Sequence, residues 1–309
     1  NSSPTLTDCT FTGNSAANYG GGMANILNSN PTLTDCTFTD NTAVYYGGGV
    51  SISGSSPTLT NCTFENNTAN YGGGMANNYN CNPTLTDCTF TDNTADSGGG
   101  MYNNWSSSPT LTDCIFTNNT ALNGGGMYNS DSNPTLTNCT FTGNSAANSG
   151  GGMANIWNCY PTLTDCTFTD NTADSGGGMY SNSGSSPTLD GCTFTDNTAD
   201  YGGGMYNSSS SPTLTDCIFT GNIANNEGGG MYNSSSSNPT LDGCTFTNNT
   251  ANDYGGGMYN SSSNPTLDGC TFAGNTATTQ EGGGMYNNIS NPTLTGCTFT
   301  NNSSGDVGG

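Results

Sequence analysis

The chain has 309 residues, and 22 Asp and Glu stand against no Lys, Arg or His, for a formal net charge of −22. That balance excludes nucleic-acid binding, which rests on cations neutralising phosphates, and it opposes adsorption to anionic membranes. No apolar run approaches the ~18 residues of a membrane-spanning helix, so direct membrane insertion is not expected.

The first unit opens at Pro4 with Pro-Thr-Leu-Thr-Asp-Cys-Thr-Phe, and the same sentence returns at every later proline, 12 times in all, 25 to 27 residues apart. Self-similarity at a period of this size signals a solenoid, a propeller or an array. Low hydrophobicity with high charge can also mean disorder. A disordered chain, however, has no reason to hold Leu, Cys, Phe and Met in strict columns.

Within a unit, Thr5-Leu6-Thr7 alternates outward and inward and predicts a first short strand. Leu6 and Cys9 are separated by an odd spacing, so Asp8-Cys9 must turn a corner. Cys9-Thr10-Phe11-Thr12 is the second strand, rich in residues that suit a pleated, half-buried surface. Phe-x-x-Asn follows in every unit, and Asn there suits a turn whose rungs stack an amide ladder, because it tolerates left-handed backbone and bonds locally. A glycine triplet then permits a tight bend and close backbone approach. Gly-Met-Tyr-Asn, as in Gly100-Met101-Tyr102-Asn103, forms the third strand. Polar Ser/Asn stretches such as Ser208–Ser211 close the coil.

One unit cannot bury enough to order itself, so stacking of neighbours must supply the rest. The repeat is too short for a propeller blade, and 12 Pro with 46 Gly oppose helix. The expected fold is therefore all-β: a right-handed parallel β-helix solenoid of about twelve coils with three short strands per coil, right-handed by the crossover rule. Residues 1–309 read as one repeat domain without evident caps, part of a longer chain or a filament subunit. The stretch Cys9–Leu27 nearly repeats at Cys139–Trp157, which suggests recent duplication of a module.

Phe-x-x-Asn-x-Ala followed by Gly-Gly-[Met/Val] resembles the paired FxxN and GGA(I/L/V) motifs of polymorphic outer-membrane proteins and of bacterial right-handed β-helix surface repeats. The resemblance spans the chain. It implies an extracellular or cell-surface rod, often an autotransporter passenger and sometimes an adhesin. The membrane barrel of an autotransporter is absent from this sequence, and the repeats are more uniform than those of typical passengers.

Each distinctive column admits two readings. Twelve cysteines from Cys9 to Cys297 share one inward column with no C-x-x-C and no His, which favours a dry thiol stack over a metal or redox site. Cys81 and Cys159 lie two residues before a proline in the polar corner. They are candidate intermolecular thiols, or unpaired loop thiols. Acidic residues recur at the first corner, at Asp8, Asp35, Asp87, Asp113, Asp165, Asp190, Asp216, Asp242 and Asp268, and could be solvated or hold Ca²⁺; no metal or other cofactor is assigned. Tyr102, Tyr128, Tyr180, Tyr206, Tyr232, Tyr259 and Tyr286 follow an inward Met and should point outward as an aromatic ladder. That ladder is either a candidate interaction face for glycans or another rod, or a stack that stiffens the sheet. Thr-x-Thr files on the first strand resemble those of insect-type ice-binding proteins, but Glu65, Ile115, Ile218 and Ala273 break the second strand's file, and Asp190, Asp242 and Asp268 break the first strand's later.

No basic side chain is present to act as base or oxyanion clamp, so the chain is expected not to be an enzyme. The leading expectation is a structural or surface-display rod that self-associates end to end or laterally. Behind it stand an adhesin passenger that meets host or glycan surfaces and, third, an ice-binding protein.

Overall fold

The computed structural model of the chain describes residues 2–306 and 308. Among these the chain winds as a parallel β-solenoid, and no helix is long and apolar enough to cross a membrane. Each full coil turns four faces, not the three that alternation predicts. In the fifth coil the strands are Thr110–Thr112, Ile115–Thr117, Thr120–Asn123 and Met127–Ser130. Like strands of successive coils pair in parallel, giving sheets of 12, 12, 8 and 11 strands plus a 2-stranded piece. The additional strand is the Thr-Ala pair after Phe-x-x-Asn. It is often only two residues long, as at Thr42–Ala43, too short for alternation to reveal. Isolated bridges such as Thr68↔Thr94 carry it through the third and fourth coils.

Register keeps the columns intact. Leu111 sits opposite Leu136, Phe116 opposite Phe141 and Met127 opposite Met153. At the ~4.8 Å strand spacing twelve coils make a rod of roughly 55 Å. The same spacing sets the phenylalanine stack, whose centroids lie 4.6 to 5.0 Å apart with planes within 6°. Leu, Cys, Phe and Met of the inner coils form one continuous buried core.

The corners explain the variable positions. The residue before each Cys takes a positive φ, for example 54° at Asp113 and 53° at Asn138, and where the acid moves back to Asp190 the site is taken by Gly191 at φ 60°. Asp, Asn and Gly are the residues that enter this region most readily. The second corner is displaced by one residue from the expectation. Asp40 carries the left-handed backbone, at φ 57°, while the Asn of Phe-x-x-Asn next to it, Asn41, is fully buried.

That buried asparagine builds the amide ladder. Asn119 Nδ2 donates to Phe90 O at 2.9 Å and to Asn144 Oδ1 at 2.9 Å, while its Oδ1 accepts from the backbone N–H and the Nδ2 of Asn93. A second ladder runs inside the Met strand, as in Asn103 to Asn129 at 2.8 Å. It is interrupted at Ile52 and Ser181, and Oδ1 of Asn77 and of Asn207, each one coil beyond an interruption, is left buried without a partner.

In the fourth coil, the glycine triplet shows why no side chain is admitted. A Cβ on Gly99 would stand 2.5 Å from Gly125 O, and one on Gly100 would meet Gly126 O at 2.6 Å and Phe116 Cδ1 at 2.8 Å. The end coils are less covered. Leu294 and Phe299 are 40% and 42% exposed, whereas Phe116 is fully buried.

Candidate functional site

The tyrosine ladder exists, and its orientation departs from the expected open face. Tyr102 stacks on Tyr128 at 5.4 Å. Tyr180, Tyr206, Tyr232, Tyr259 and Tyr286 form a second run with steps of 4.7 to 5.5 Å. Tyr102 and Tyr259 are buried, and Tyr128, Tyr180, Tyr206, Tyr232 and Tyr286 are half-buried. Two causes combine. The rings cover one another's faces, and the turn before them folds back. Gly124, at φ +63, lies so close to Tyr128 that a Cβ on it would stand 2.8 Å from the tyrosine Cβ. Side chains just before the triplets then lean on the ladder, Tyr71 against Tyr102 at 5.1 Å and Tyr254 against Tyr286 at 4.6 Å. Burial pushes the Tyr128 phenol up to about 12 and raises those of Tyr102 and Tyr232. Ala154, opposite Tyr128 and Tyr180 in the sheet, divides the two runs.

Cys81 and Cys159 are unpaired thiols between strands, and their burial corrects the expectation of an intermolecular link. Both are fully buried, and Cys81 belongs to the core. Two left-handed residues precede Cys81, Tyr79 at φ 62° and Asn80 at φ 56°. They turn the following side chain inward. Equivalent coils place Ser107 and Ser185 there, and the backbone N–H groups of Cys81 and Cys159 donate to those hydroxyls at 3.2 and 3.1 Å. Burial raises both thiols above the usual range.

All 14 cysteines are free. The stacked thiols bond locally, Cys139 Sγ to Thr137 O at 3.4 Å and to Leu111 O at 3.7 Å. The neighbouring Cys114 thiol, and burial after it, push Cys139 up to about 12. A thiol raised in this way stays protonated near neutral pH, whereas hydrogen bonds from neighbouring thiols lower Cys62 and Cys244.

The acidic corner is exposed, and its links run to the next coil. Asp35 Oδ1 accepts from Asn61 Nδ2 at 2.6 Å, and Asp113 accepts from Asn138 in the same way. Among the described residues no three potential ligands gather into a metal site. On the first sheet the leading threonine of every Thr-Leu pair, from Thr5 to Thr293, is exposed and forms an unbroken file.

A rule that looks only at the position after Met misses Tyr19, Tyr46 and Tyr71. They precede glycine triplets in the first three coils and stack at 5.7 and 4.9 Å. The available signal was confined to the first three coils, since Ser149 precedes the triplet leading to Ala154, and Tyr201 and Tyr254 share coils with Tyr206 and Tyr259. Where the residue after Met or Val is Ala24, Ser51 or Ala76, a tyrosine stands before the triplet.

The family model for the right-handed β-helix region matches residues 1–120, 97–223 and 215–307. The chain belongs to the right-handed β-helix family. Its parallel winding and expected hand agree with that membership. No curated protein sequence matches the chain. Among solved structures it is similar to pectate lyase Pel9A, with 12% identity and a TM-score of 0.44 over 85% of this chain and 70% of that one. Pel9A is an enzyme on a right-handed β-helix, and this corrects the expectation that the chain is not an enzyme. At 12% identity the likeness is one of fold alone.

Proposed function

We propose that this right-handed β-helix is an extracellular rod of the cell surface or its surroundings, whose role lies in length, stiffness and repeated outer faces, and which lengthens by stacking coil on coil. The observation that carries this reading is continuity. Strand pairing, the phenylalanine stack and the Phe-x-x-Asn ladder run in one register from the first coil to the twelfth. A rod built this way resists bending, because each coil is tied to the next by several sheets and at least one buried amide ladder.

The terminal coils support stacking. At the last coil, Asn302 Nδ2 donates back to Phe272 O, and its remaining N–H bonds point along the axis, where inner coils find another asparagine. At the first coil, Asn14 donates forward to Asn41, leaving its Oδ1 to accept from a preceding coil. Any coil added to either end, from a second copy or from further chain, meets the matching half of the ladder. Unpaired strand edges favour such addition. The pairing of Phe-x-x-Asn with the glycine motif supports a bacterial surface setting, and the strong negative charge favours a rod that repels unrelated partners.

Electron microscopy of the native material tests this. Fibres with a ~4.8 Å axial repeat are the expected result. Isolated rods of roughly 55 Å that do not lengthen with concentration would refute stacking.

A second reading, ice binding, is favoured by the unbroken file of exposed threonines from Thr5 to Thr293. A freezing-point assay decides it: no thermal hysteresis at high protein concentration removes it.

A further inference from the structure

The first three coils carry a cleft on the face of the Met strand. It has a volume of about 270 Å³ and is lined by Tyr19, Ile26, Tyr46, Ser51, Ser53, Asn78 and Tyr79. Its origin is visible in the sequence columns. Ser51 and its neighbours Ala24 and Ala76 stand where the fourth coil has Tyr102, so a ring is missing from the sheet. Tyr19 and Tyr46 stack along one side, with planes 11° apart. Tyr79 forms another part of the lining, braced by Trp105 with centroids 4.1 Å apart.

Two polar side chains point to a ligand. Ser51 is 4% exposed and Asn78 is 5% exposed, yet both line the cleft. Neither the Ser51 hydroxyl nor the Asn78 amide bonds any group among the described residues. Neither side chain has an atom among the fully enclosed polar atoms that lack a partner, so both stay open to the cleft and present hydrogen-bonding capacity that the protein leaves unused. The rest of the lining is aromatic. The volume lies just below the ~300–1,000 Å³ of small-molecule sites, room for a single ring-sized group.

Charge narrows the chemistry. The chain has no Lys, Arg or His, and its 22 acidic residues give the whole rod a net negative charge. Anionic ligands such as phosphates and uronates are therefore repelled, and a purely apolar ligand would leave the hydroxyl and amide unpaired. A neutral polyol ring with apolar C–H faces satisfies both kinds of lining, because aromatic rings present an apolar body to it.

We propose that this cleft binds one ring of a neutral saccharide, packed against Tyr19, Tyr46 and Tyr79 with its hydroxyls bonded to Ser51, Ser53 and Asn78. The site goes beyond the rod reading, which needs no ligand. It also moves glycan recognition from the covered tyrosine ladder to a place where a rung is absent.

The test is calorimetric titration of the full chain with neutral β-linked hexasaccharides of glucose, mannose and galactose, with oligogalacturonate as the charged comparison. Ser51→Tyr supplies the ring that seven other coils carry, filling the cleft with a residue the fold accepts. Tyr79→Ala removes part of the lining. Ala154→Tyr makes the same ladder change at the sixth coil, away from the cleft. The expected result is binding of at least one neutral hexasaccharide, weakened about tenfold or more, near 1.4 kcal/mol, by Ser51→Tyr and by Tyr79→Ala. Ala154→Tyr should leave it unchanged. Absence of neutral-sugar binding at millimolar concentration overturns the proposal. So does binding that survives Ser51→Tyr, or a preference for oligogalacturonate. Rod length by microscopy is read on the same samples, so loss of sugar binding with rods intact is distinguishable from failure of the rod itself.

Discussion

Asn119→Ala, in the middle of the Phe-x-x-Asn ladder, isolates the contribution of one buried amide. The side chain makes four hydrogen bonds between 2.9 and 3.1 Å: two as donor, to Phe90 O and Asn144 Oδ1, and two as acceptor, from the N–H and Nδ2 of Asn93. Alanine removes all four. Asn144 Oδ1 keeps the backbone N–H of residue 119 at 3.0 Å, but two donors of Asn93 lose their acceptor in a place water does not reach. At about 1–3 kcal/mol per orphaned group, the expected loss is about 2–6 kcal/mol. Thr110→Ala, on the exposed file one face away, should stay within about 0.5 kcal/mol. Urea unfolding followed by circular dichroism compares the two midpoints. Asn119→Asp adds a signed check. One oxygen of the new carboxylate keeps the two Asn93 donors, but full burial, with the acceptors Phe90 O and Asn144 Oδ1 facing the other oxygen, raises the folded pKa above the unfolded ~3.9. The variant is then closest to wild type below that unfolded value and loses stability as pH rises through the folded one. Equal midpoints for Asn119→Ala and Thr110→Ala would refute the argument that the ladder binds the coils together.

Three further outcomes are expected. Ser181→Asn should close the gap in the second ladder by giving Asn207 Oδ1 a donor, raising stability by about 1–2 kcal/mol; an unchanged or lower urea midpoint would show that the gap is not felt. Maleimide labelling of the native protein should reach no more than Cys9 and Cys297, the only two cysteines not fully enclosed, and all 14 after denaturation; native modification of Cys81 or Cys159 would contradict their inward placement. Alkaline titration should couple phenol ionisation to unfolding. Tyr128 ionises near 12 in the folded rod, above the unfolded ~10, so its contribution is complete below about pH 10 and disappears as pH rises toward the folded value. The phenolate absorbance that is lost on Tyr128→Phe should therefore appear together with loss of near-ultraviolet dichroism, and a Tyr128 contribution near pH 10 with the fold intact would count against it.

Much of the coil was legible because stacking repeats one environment twelve times. A residue whose neighbours above and below are its own equivalents cannot change type freely, so Leu111, Cys114, Phe116, Asn119 and Met127 declare themselves as columns before any coordinates are known. The inward column of thiols and the amide ladder at Phe-x-x-Asn follow from the same reasoning. The fourth face did not, since Thr42–Ala43 is shorter than one period of alternation.

Side-chain direction at the coil's irregular places was the harder problem. Cys81 looks like a loop thiol from its Asn- and Tyr-rich surroundings, and only the two positive-φ residues before it decide that it faces the core. Tyr102 alternates outward on its strand, yet the glycine-led turn brings Tyr46 and Tyr71 across it. The cleft is a property of an absence, small side chains at Ala24, Ser51 and Ala76, joined to Tyr79 from the corner just after Ala76. Local alternation and stacking are short-range effects written along one coil, and the sequence by itself determined the winding, the core columns and the axial continuity. Which side chains meet across neighbouring turns depends on backbone handedness at single corner residues, and only the tertiary structure decided where the surface closes over its tyrosines and where it opens.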